Sequence, residues 1–169
     1  SAGGYLSSML AVSGTVPGLE DPSLENGETP CHIQAAVVWY GPTNFLKMDE
    51  QLEESGLASP PGFRHSEENS PESLLLGETI TIIPERVRAA NPETYITDTL
   101  PPMLLQHGRK DPVVPVQQSI EFFDKLKATA AGNRIFLDIF EEAVHADPAF
   151  ETRENLERIF QFFKQVGIY

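Results

Sequence analysis

The sequence is poor in cysteine, in basic residues and in long apolar runs, and each scarcity excludes something. A single cysteine, Cys31, means that no intrachain disulfide can form. Only 12 Lys and Arg stand against 25 Asp and Glu, which gives a net charge of -13. Nucleic acid or an anionic membrane surface would repel such a chain, so we expect neither as a partner. No stretch approaches the roughly 20 apolar residues of a membrane span, so no span is expected.

What is present is the composition of an ordinary folded domain. Hydrophobic residues make up 40% and charged residues 22% of the 169 positions, as in typical globular proteins. Continuous apolar runs, each typical of a strand buried on both faces, lie at 35–41, 103–108 and 134–140. Segments with helical spacing lie at 2–13, 84–92, 116–130 and 153–166. This alternation predicts a three-layer α/β/α fold around a mostly parallel sheet.

The apolar pattern also predicts which faces of the two last helices are buried. In the helix at 116–130, the residues expected to face inward are Ile120, Phe123 and Leu126. In the helix at 153–166, the expected apolar stripe consists of Leu156, Ile159, Phe160 and Phe163. Both sets recur at helical spacing, so each defines one face of its helix.

Polar residues that suit nucleophilic catalysis occur beside these elements. Asp111 follows the second strand in "HGRKDPVVP", and His145 follows the third in "EEAVHADPAF". Ser1 stands immediately before the first helix in "SAGGYL". The carboxyl ends of parallel strands meet at one edge of a sheet, where ligands bind. A serine hydroxyl becomes a strong nucleophile when a histidine takes its proton and a carboxylate orients that histidine.

Position along the chain separates the histidines. His32 precedes its strand and so belongs to the wrong end of the sheet, while His65 lies in a polar segment. His107 sits within an apolar strand and is expected to be a hydrogen-bonded core residue. His145 therefore remains as the candidate general base. Asp147 is interpreted as a loop or helix-entry residue rather than a substitute acid.

Several blocks of sequence occur in a familiar order. "SAGGYL" resembles the second half of the G-x-S-A-G-G nucleophile elbow of the α/β-hydrolase superfamily, where small residues permit a sharp turn. The blocks that follow it in the order seen in bacterial esterases and lipases are "VVWYGPTNFLKMD", "ANPETYI", "PPMLLQHGRKDPVVPVQQS" and "AVHADPAF". The chain is most similar to the acetyl-esterase and feruloyl-esterase-like group, itself similar to the catalytic domain of prolyl oligopeptidases.

This resemblance implies a role for each candidate. Ser1 would be the nucleophile, Asp111 the acid and His145 the general base, and the backbone N–H of Ala2 would donate to the oxyanion. The implied substrate is a small-molecule carboxylic ester, often an acyl group on a carbohydrate. We expect neither a metal nor another cofactor.

The substrate pocket is expected next to these residues. Residues expected to line it are Tyr40, Pro42 and Val114. The segment 46–80 is polar, rich in proline and acidic, which indicates an insertion lying over the surface with solvated carboxylates. Family members build lids after this strand, so the insertion is expected to roof the pocket.

The chain departs from the family pattern at its start. Family members carry several strands before the elbow and a loop, often His-Gly-Gly-Gly, that supplies a second oxyanion donor. We therefore expect residues 1–169 to be the carboxyl-terminal part of one α/β-hydrolase domain, lacking its amino-terminal strands. One oxyanion donor is worth roughly 3 kcal/mol, so the isolated chain should be weakly active or inactive. The missing half or self-association would cover the exposed edge of the strand at 35–41.

Other interpretations stay open beside the esterase. A serine peptidase of the prolyl-oligopeptidase type would use the same triad, and a non-catalytic interaction module would use the exposed strand edge to bind a partner. Ser1 is alternatively an amino-terminal nucleophile with its own amine as base, although a helix after the nucleophile is untypical of that class. Asp111 is alternatively a turn residue that caps the helix near 116.

Overall fold

The computed structural model of the chain describes residues 1–19, 23, 29, 31–57 and 59–168. Its 3-stranded sheet has the order β1-β2-β3 and all neighbours are parallel, which confirms the predicted sheet. The strands are β1 (Ala36–Trp39), β2 (Met103–Gly108) and β3 (Ile135–Phe140). The first strand ends sooner than predicted because Tyr40 has a φ of 39°, outside the extended conformation of a strand, although its N–H still donates to the Gln106 carbonyl over 2.9 Å.

Helices connect and cover these strands. The α-helices are α1 (Ala2–Ser13), α2 (Met48–Ser55), α3 (Pro71–Leu76), α4 (Pro84–Ala90), α5 (Gln117–Lys127) and α6 (Arg153–Gln165). Side-chain caps define several of their starts: Ser70 accepts from the N–H of Ser73, and Thr152 accepts from that of Asn155. In the part of the chain that the structure describes, no helix is long and apolar enough to cross a bilayer.

The two faces of the sheet carry different helices, which confirms the three-layer architecture. Met103 and Leu105 of β2 belong to a buried apolar cluster with residues of α1 and α5. Gln106, which points to the opposite face, donates to Asn155 of α6 over 2.6 Å. Phe136 of β3 packs on Phe162 of the same helix, with ring centroids 5.8 Å apart. The sheet is therefore sandwiched between α1 and α5 on one side and α6 on the other.

The predicted inward faces of α5 and α6 were partly wrong. In α5, Leu126 is buried as expected, but Phe122 takes the deepest position and Ile120 and Phe123 are half-buried. In α6 the buried residues are Asn155 and Phe162, whereas 43% of Leu156 and 53% of Phe160 are exposed. The reason is the polar sheet face beneath α6, where Gln106 and Asp138 bind Asn155 and Arg158. Because this sheet face is polar, α6 packs on it with Asn155 and Arg158, and part of its apolar stripe faces solvent.

The segment 46–80 is more than a surface insertion with solvated charges. It contains α2 and α3, and Met48 and Ile80 form a second buried apolar cluster with Phe45, Val87 and Val114. Two of its carboxylates are also withdrawn from solvent: the side chain of Glu72 is 8% exposed and that of Asp49 is 16% exposed. The segment therefore packs as part of the domain.

Glycine lets the start of α1 cross the end of β1 at backbone contact. A Cβ on Gly4 would overlap the carbonyl oxygen of Trp39, and a Cβ on Gly41 would lie 2.5 Å from the carbonyl carbon of Gly4. These contacts explain the second glycine of "SAGG". The adjacent Gly3 has open space around its Cβ position.

We predict that Gly4→Ala destabilises the protein and Gly3→Ala does not. The alanine at position 4 meets rigid backbone, and such overpacking costs about 1–3 kcal/mol. The alanine at position 3 meets nothing and has the better helix propensity, worth up to about 1 kcal/mol. Urea unfolding of both variants measures the difference. Equal stability of the two variants would contradict this account of the glycine pair.

Candidate active site

The loops after β2 and β3 meet and bring Asp111 and His145 together. Asp111 Oδ2 lies 2.7 Å from His145 Nδ1. Backbone hydrogen bonds join the two loops, from the N–H of Lys110 to the carbonyl of Ala143 over 3.0 Å and from that of Arg109 to Phe140 over 2.9 Å. A Cβ on Gly108 would overlap the carbonyl oxygen of Ala143, so only glycine permits this approach. Gly108, the last residue of β2, is therefore required for the two loops to meet.

Exposed ion pairs join the same two loops. Arg109 contacts Glu141 over 2.9 Å, and Lys110 contacts Glu142. Surface pairs of this kind contribute little stability individually. The backbone contacts therefore account for most of the loop geometry.

The carboxylate of Asp111 is fully buried and fully hydrogen-bonded. Its Oδ1 accepts from the N–H groups of Val113 and Val114, each over 2.9 Å, and its Oδ2 lies 3.3 Å from His107 Nε2. Burial alone would raise the pKa of Asp111. The hydrogen bonds and charges of His107 and His145 outweigh that effect and lower the pKa from 3.8 to about 2. Asp111 is thus ionised over the physiological range.

His107 is buried and hydrogen-bonded, as expected of a core histidine. Its Nδ1 lies 2.7 Å from Ser119 Oγ and its Nε2 lies 2.8 Å from the carbonyl oxygen of Val114. Its contact with Asp111 was not predicted from the sequence. His107 lies in a strand and Asp111 in the loop that follows, so their spacing of four residues did not indicate the contact.

His145 is held in one orientation while one edge of its ring stays accessible. With Asp111 at Nδ1, the proton belongs on Nδ1 and the Nε2 lone pair is left as an acceptor. The Tyr40 ring packs edge-on against the imidazole at a centroid distance of 5.0 Å. The side chain of His145 is 19% exposed. This is the arrangement that a general base requires.

Ser1 and Ala2 stand at the amino-terminal end of α1. Ala2 is the first residue of this helix, so its N–H is one of those that no helix carbonyl accepts. The Ser1 carbonyl accepts from the N–H of Tyr5 over 2.8 Å. Among the described residues, no hydrogen bond joins the Ser1 side chain to His145. The structure thus joins Asp111 and His145 directly and places Ser1 at a neighbouring cavity.

That cavity has a volume of about 280 Å³ and largely apolar walls. On one side it is lined by Ser1, Ala2, Tyr5, Leu6, Pro42, Phe45, Val113 and Val114. On the other side it is lined by residues between Phe63 and Leu75, namely Phe63, His65, Pro71, Glu72 and Leu75. Pro42 and Val114, expected in the pocket, are among the lining residues. Tyr40 is not: its ring packs edge-on against His145 and Phe150, with centroid distances of 5.0 and 4.7 Å.

His65 was expected in a polar surface segment, but the structure buries it. It is only 1% exposed, with Nδ1 3.0 Å from Glu72 Oε2 and Nε2 2.8 Å from the carbonyl oxygen of Val113. Nothing local in the sequence indicates this burial, since Val113 lies 48 positions away. Asp147, by contrast, caps a 3-10 helix at Pro148–Glu151 by accepting from the N–H of Ala149, as a helix-entry residue does.

Parallel strands with a carboxylate–imidazole pair past their ends, beside a serine that precedes a helix, define the α/β-hydrolase class of fold. Residues 1–126 match the family model BD-FAE. The chain belongs to this family, within the bacterial esterase branch of the α/β hydrolases, which confirms the resemblance noted in the sequence.

The relatives are esterases much longer than this chain. Probable carboxylic ester hydrolase LipM of Mycobacterium tuberculosis is 29% identical over 139 residues, which are 82% of this chain and 29% of the relative. A truncated form of a carbohydrate esterase from gut microbiota shares the fold, with a TM-score of 0.78 at 24% identity over 100% of this chain and 58% of that one. The chain therefore spans under a third of the curated relative.

A third relative comes from Thermogutta terrifontis. The butyrate-bound structure of its esterase Est2 has a TM-score of 0.64 at 26% identity, over 99% of this chain and 54% of that one. A further structure of esterase 2, phosphoramylated by tabun, has a TM-score of 0.61 at 25% identity over 98% of this chain and 52% of that one.

We predict that Asp111 contributes stability that disappears in acid. A carboxyl group whose pKa is lower in the folded than in the unfolded state stabilises the fold at any pH above its unfolded-state pKa. This stabilisation is lost as the pH falls through the folded-state pKa. A shift from 3.8 to about 2 corresponds to about 2 kcal/mol. Asp111→Asn should therefore lower the free energy of unfolding at neutral pH, and the deficit should shrink as pH falls from about 4 to about 2.

Urea unfolding across this pH range measures the effect. Asp124→Asn, an exposed position on α5, is the matched control and should leave the pH dependence unchanged. A deficit for Asp111→Asn that is the same in acid and at neutral pH would contradict the prediction.

Proposed function

We propose that the protein is a serine-dependent hydrolase of carboxylic esters, with Ser1, His145 and Asp111 as its triad. The observation that carries this proposal is the 2.7 Å hydrogen bond between Asp111 Oδ2 and His145 Nδ1, at the strand ends next to a serine-lined cavity. A buried carboxylate that holds Nδ1 of a histidine whose other ring edge stays accessible can present Nε2 to a hydroxyl, as a general base requires. Residues 1–169 act as the carboxyl-terminal part of one catalytic domain.

The chemistry proceeds in two balanced halves. His145 Nε2 takes the proton of Ser1 Oγ as that oxygen attacks the acyl carbon, and the N–H of Ala2 donates to the carbonyl oxygen as it gains negative charge. The imidazolium, stabilised by Asp111, then returns the proton to the leaving alcohol oxygen, and an acyl-serine remains. Water repeats the sequence: His145 takes its proton, the acid is released and Ser1 regains its hydroxyl.

The relatives support this reaction class. They are described as carboxylic ester hydrolases and esterases, and esterase 2 of Thermogutta terrifontis forms an adduct with tabun, which is consistent with an activated nucleophile. The butyrate bound to that esterase and the small apolar cavity here both favour a short acyl group. The carbohydrate esterase among the structural relatives favours a sugar as the alcohol part.

The segment 46–80 forms the outer wall of the acyl cavity. The cavity's lining includes Phe63 and Leu75 from this segment, opposite Tyr5 and Leu6 of α1. A larger side chain at a lining position of this segment should reduce the cavity volume available to the acyl chain without contacting Ser1.

We predict that Leu75→Trp shifts the preference from butyrate toward acetate esters. Leu75 lines the cavity and Leu74 does not, and the two are similarly exposed, at 60% and 69%, so Leu74→Trp is the matched control. Loss of room for two methylenes corresponds to about a tenfold or greater change in the ratio of kcat/KM between the two esters. An unchanged ratio for Leu75→Trp would show that the acyl group binds elsewhere.

We predict that Ser1→Ala abolishes hydrolysis of short acyl esters, whereas Ser7→Ala, on the same helix, does not. Removal of a triad nucleophile costs roughly a millionfold in kcat. A fluorophosphonate should label Ser1 in the whole protein and leave the Ser1→Ala protein unlabelled. If Ser1 is labelled but the protein cleaves a Pro-containing peptide and not the esters, a peptidase is favoured. Absence of labelling would favour a non-catalytic interaction module.

A further inference from the structure

A buried ionisable pair lies in the cavity wall and has no part in the proposed chemistry. The side chains of His65 and Glu72 are 2% and 8% exposed, and their Nδ1 and Oε2 atoms lie 3.0 Å apart. His65 Nε2 lies 2.8 Å from the carbonyl oxygen of Val113. Both residues line the cavity that also contains Ser1.

The acceptors around His65 determine its protons. A backbone carbonyl only accepts, so Nε2 must donate to Val113. A carboxylate also only accepts, so a proton must lie between Nδ1 and Glu72. His107 differs, because its Nδ1 faces the hydroxyl of Ser119, which can donate to a neutral ring. His65 therefore carries a second ring proton, which it shares in a hydrogen bond with Glu72 and which its bond to Val113 does not require.

The bond from His65 connects the cavity wall to the catalytic acid. Among the hydrogen bonds made by the described residues 63–75, it is the one that reaches the loops at the strand ends. The N–H of Val114, which lies in the same peptide group as the Val113 carbonyl, in turn donates to Asp111 Oδ1 over 2.9 Å. A continuous path of hydrogen bonds thus runs from Glu72 through His65 and the peptide group between Val113 and Val114 to Asp111.

We propose that His65 and Glu72 are a positioning pair that fastens the substrate-cavity wall to the Asp111 loop, and that they do so only while they hold their shared proton. The proposal rests on the proposed function, since it assumes that the ester occupies this cavity. Loss of the proton leaves two lone pairs facing each other, either at Glu72 or at Val113. The wall then separates from the loop, and both the cavity and the support of Asp111 are weakened.

The charges around the pair determine the direction of the pH effect. Asp49 of α2 accepts from the N–H groups of His65 and Ser66, over 2.8 and 3.0 Å, and Arg64 lies 3.6 Å from Asp49. Burial alone would lower the pKa of His65, but Glu72, the Val113 carbonyl and Asp49 raise it above its usual 6.5. The contribution of the pair is therefore complete below 6.5 and is lost as pH rises through the raised pKa.

Glu72→Gln is the informative variant. An amide in place of the carboxylate can donate to Nδ1 of a neutral His65, so both hydrogen bonds of the ring survive without the shared proton. The titration disappears while the connection to Val113 remains. His65→Leu removes the connection at every pH.

The test is the pH dependence of kcat and KM on a butyrate ester, corrected for spontaneous hydrolysis. We expect the wild-type kcat/KM to fall about fivefold or more as pH rises from 6.5 to 9.5, the equivalent of one hydrogen bond, mainly through KM. Glu72→Gln should remove this fall, and His65→Leu should show the raised KM already at pH 6.5. Matched controls are Glu68→Gln and His32→Gln, both exposed, which should keep the wild-type profile.

A spectroscopic measurement keeps the proposal testable without activity. The ¹⁵N shifts of His65 should show both ring nitrogens protonated in the wild type at pH 6 and only one in Glu72→Gln. A neutral ring in the wild type, or an alkaline fall that persists in Glu72→Gln, would overturn the proposal. If Ser1→Ala and His145→Ala both keep full activity, the proposed function is overturned instead. The ¹⁵N measurement does not depend on activity, so its result would remain valid in that case.

Discussion

The site depends on the close approach of two loops, which the hydrogen bond between Asp111 and His145 completes. That approach requires a glycine at 108, because any side chain there would overlap the carbonyl oxygen of Ala143. Once the loops touch, Asp111 is sealed from solvent and must satisfy its charge locally. It does so with two backbone N–H groups and two imidazoles, which keep it ionised despite burial.

The loop at 111–114 is the point where the parts of the domain meet. Buried imidazoles hold it from two directions: His107 of β2 lies 2.8 Å from the carbonyl of Val114, and His65 lies 2.8 Å from that of Val113. The first ring belongs to the sheet and the second to the segment 46–80. The position of Asp111 is therefore coupled both to the sheet and to the wall of the cavity that Ser1 lines.

Sequence patterns predicted the elements better than their faces. The apolar run at 103–108 is a strand with those bounds and the run at 134–140 is a strand from residue 135 to 140, because strands buried on both faces are apolar throughout. The stripe of α6 was misjudged, since apolar spacing assumes an apolar surface opposite the helix, whereas this sheet face presents Gln106 and Asp138. The prediction that the carboxylates of the segment 46–80 are solvated is wrong for Glu72, which contacts a buried histidine seven positions away.

The parallel sheet and the positions of Asp111 and His145 past its strands could be predicted from the order of residues, because buried strands and their ends leave local apolar runs. The burial of His65, the packing of Tyr40 on His145 and the burial of Asn155 and Phe162 in α6 are evident only in the folded chain. Each of these depends on contacts between residues far apart in the chain, such as His65 with Val113, which no local periodicity records.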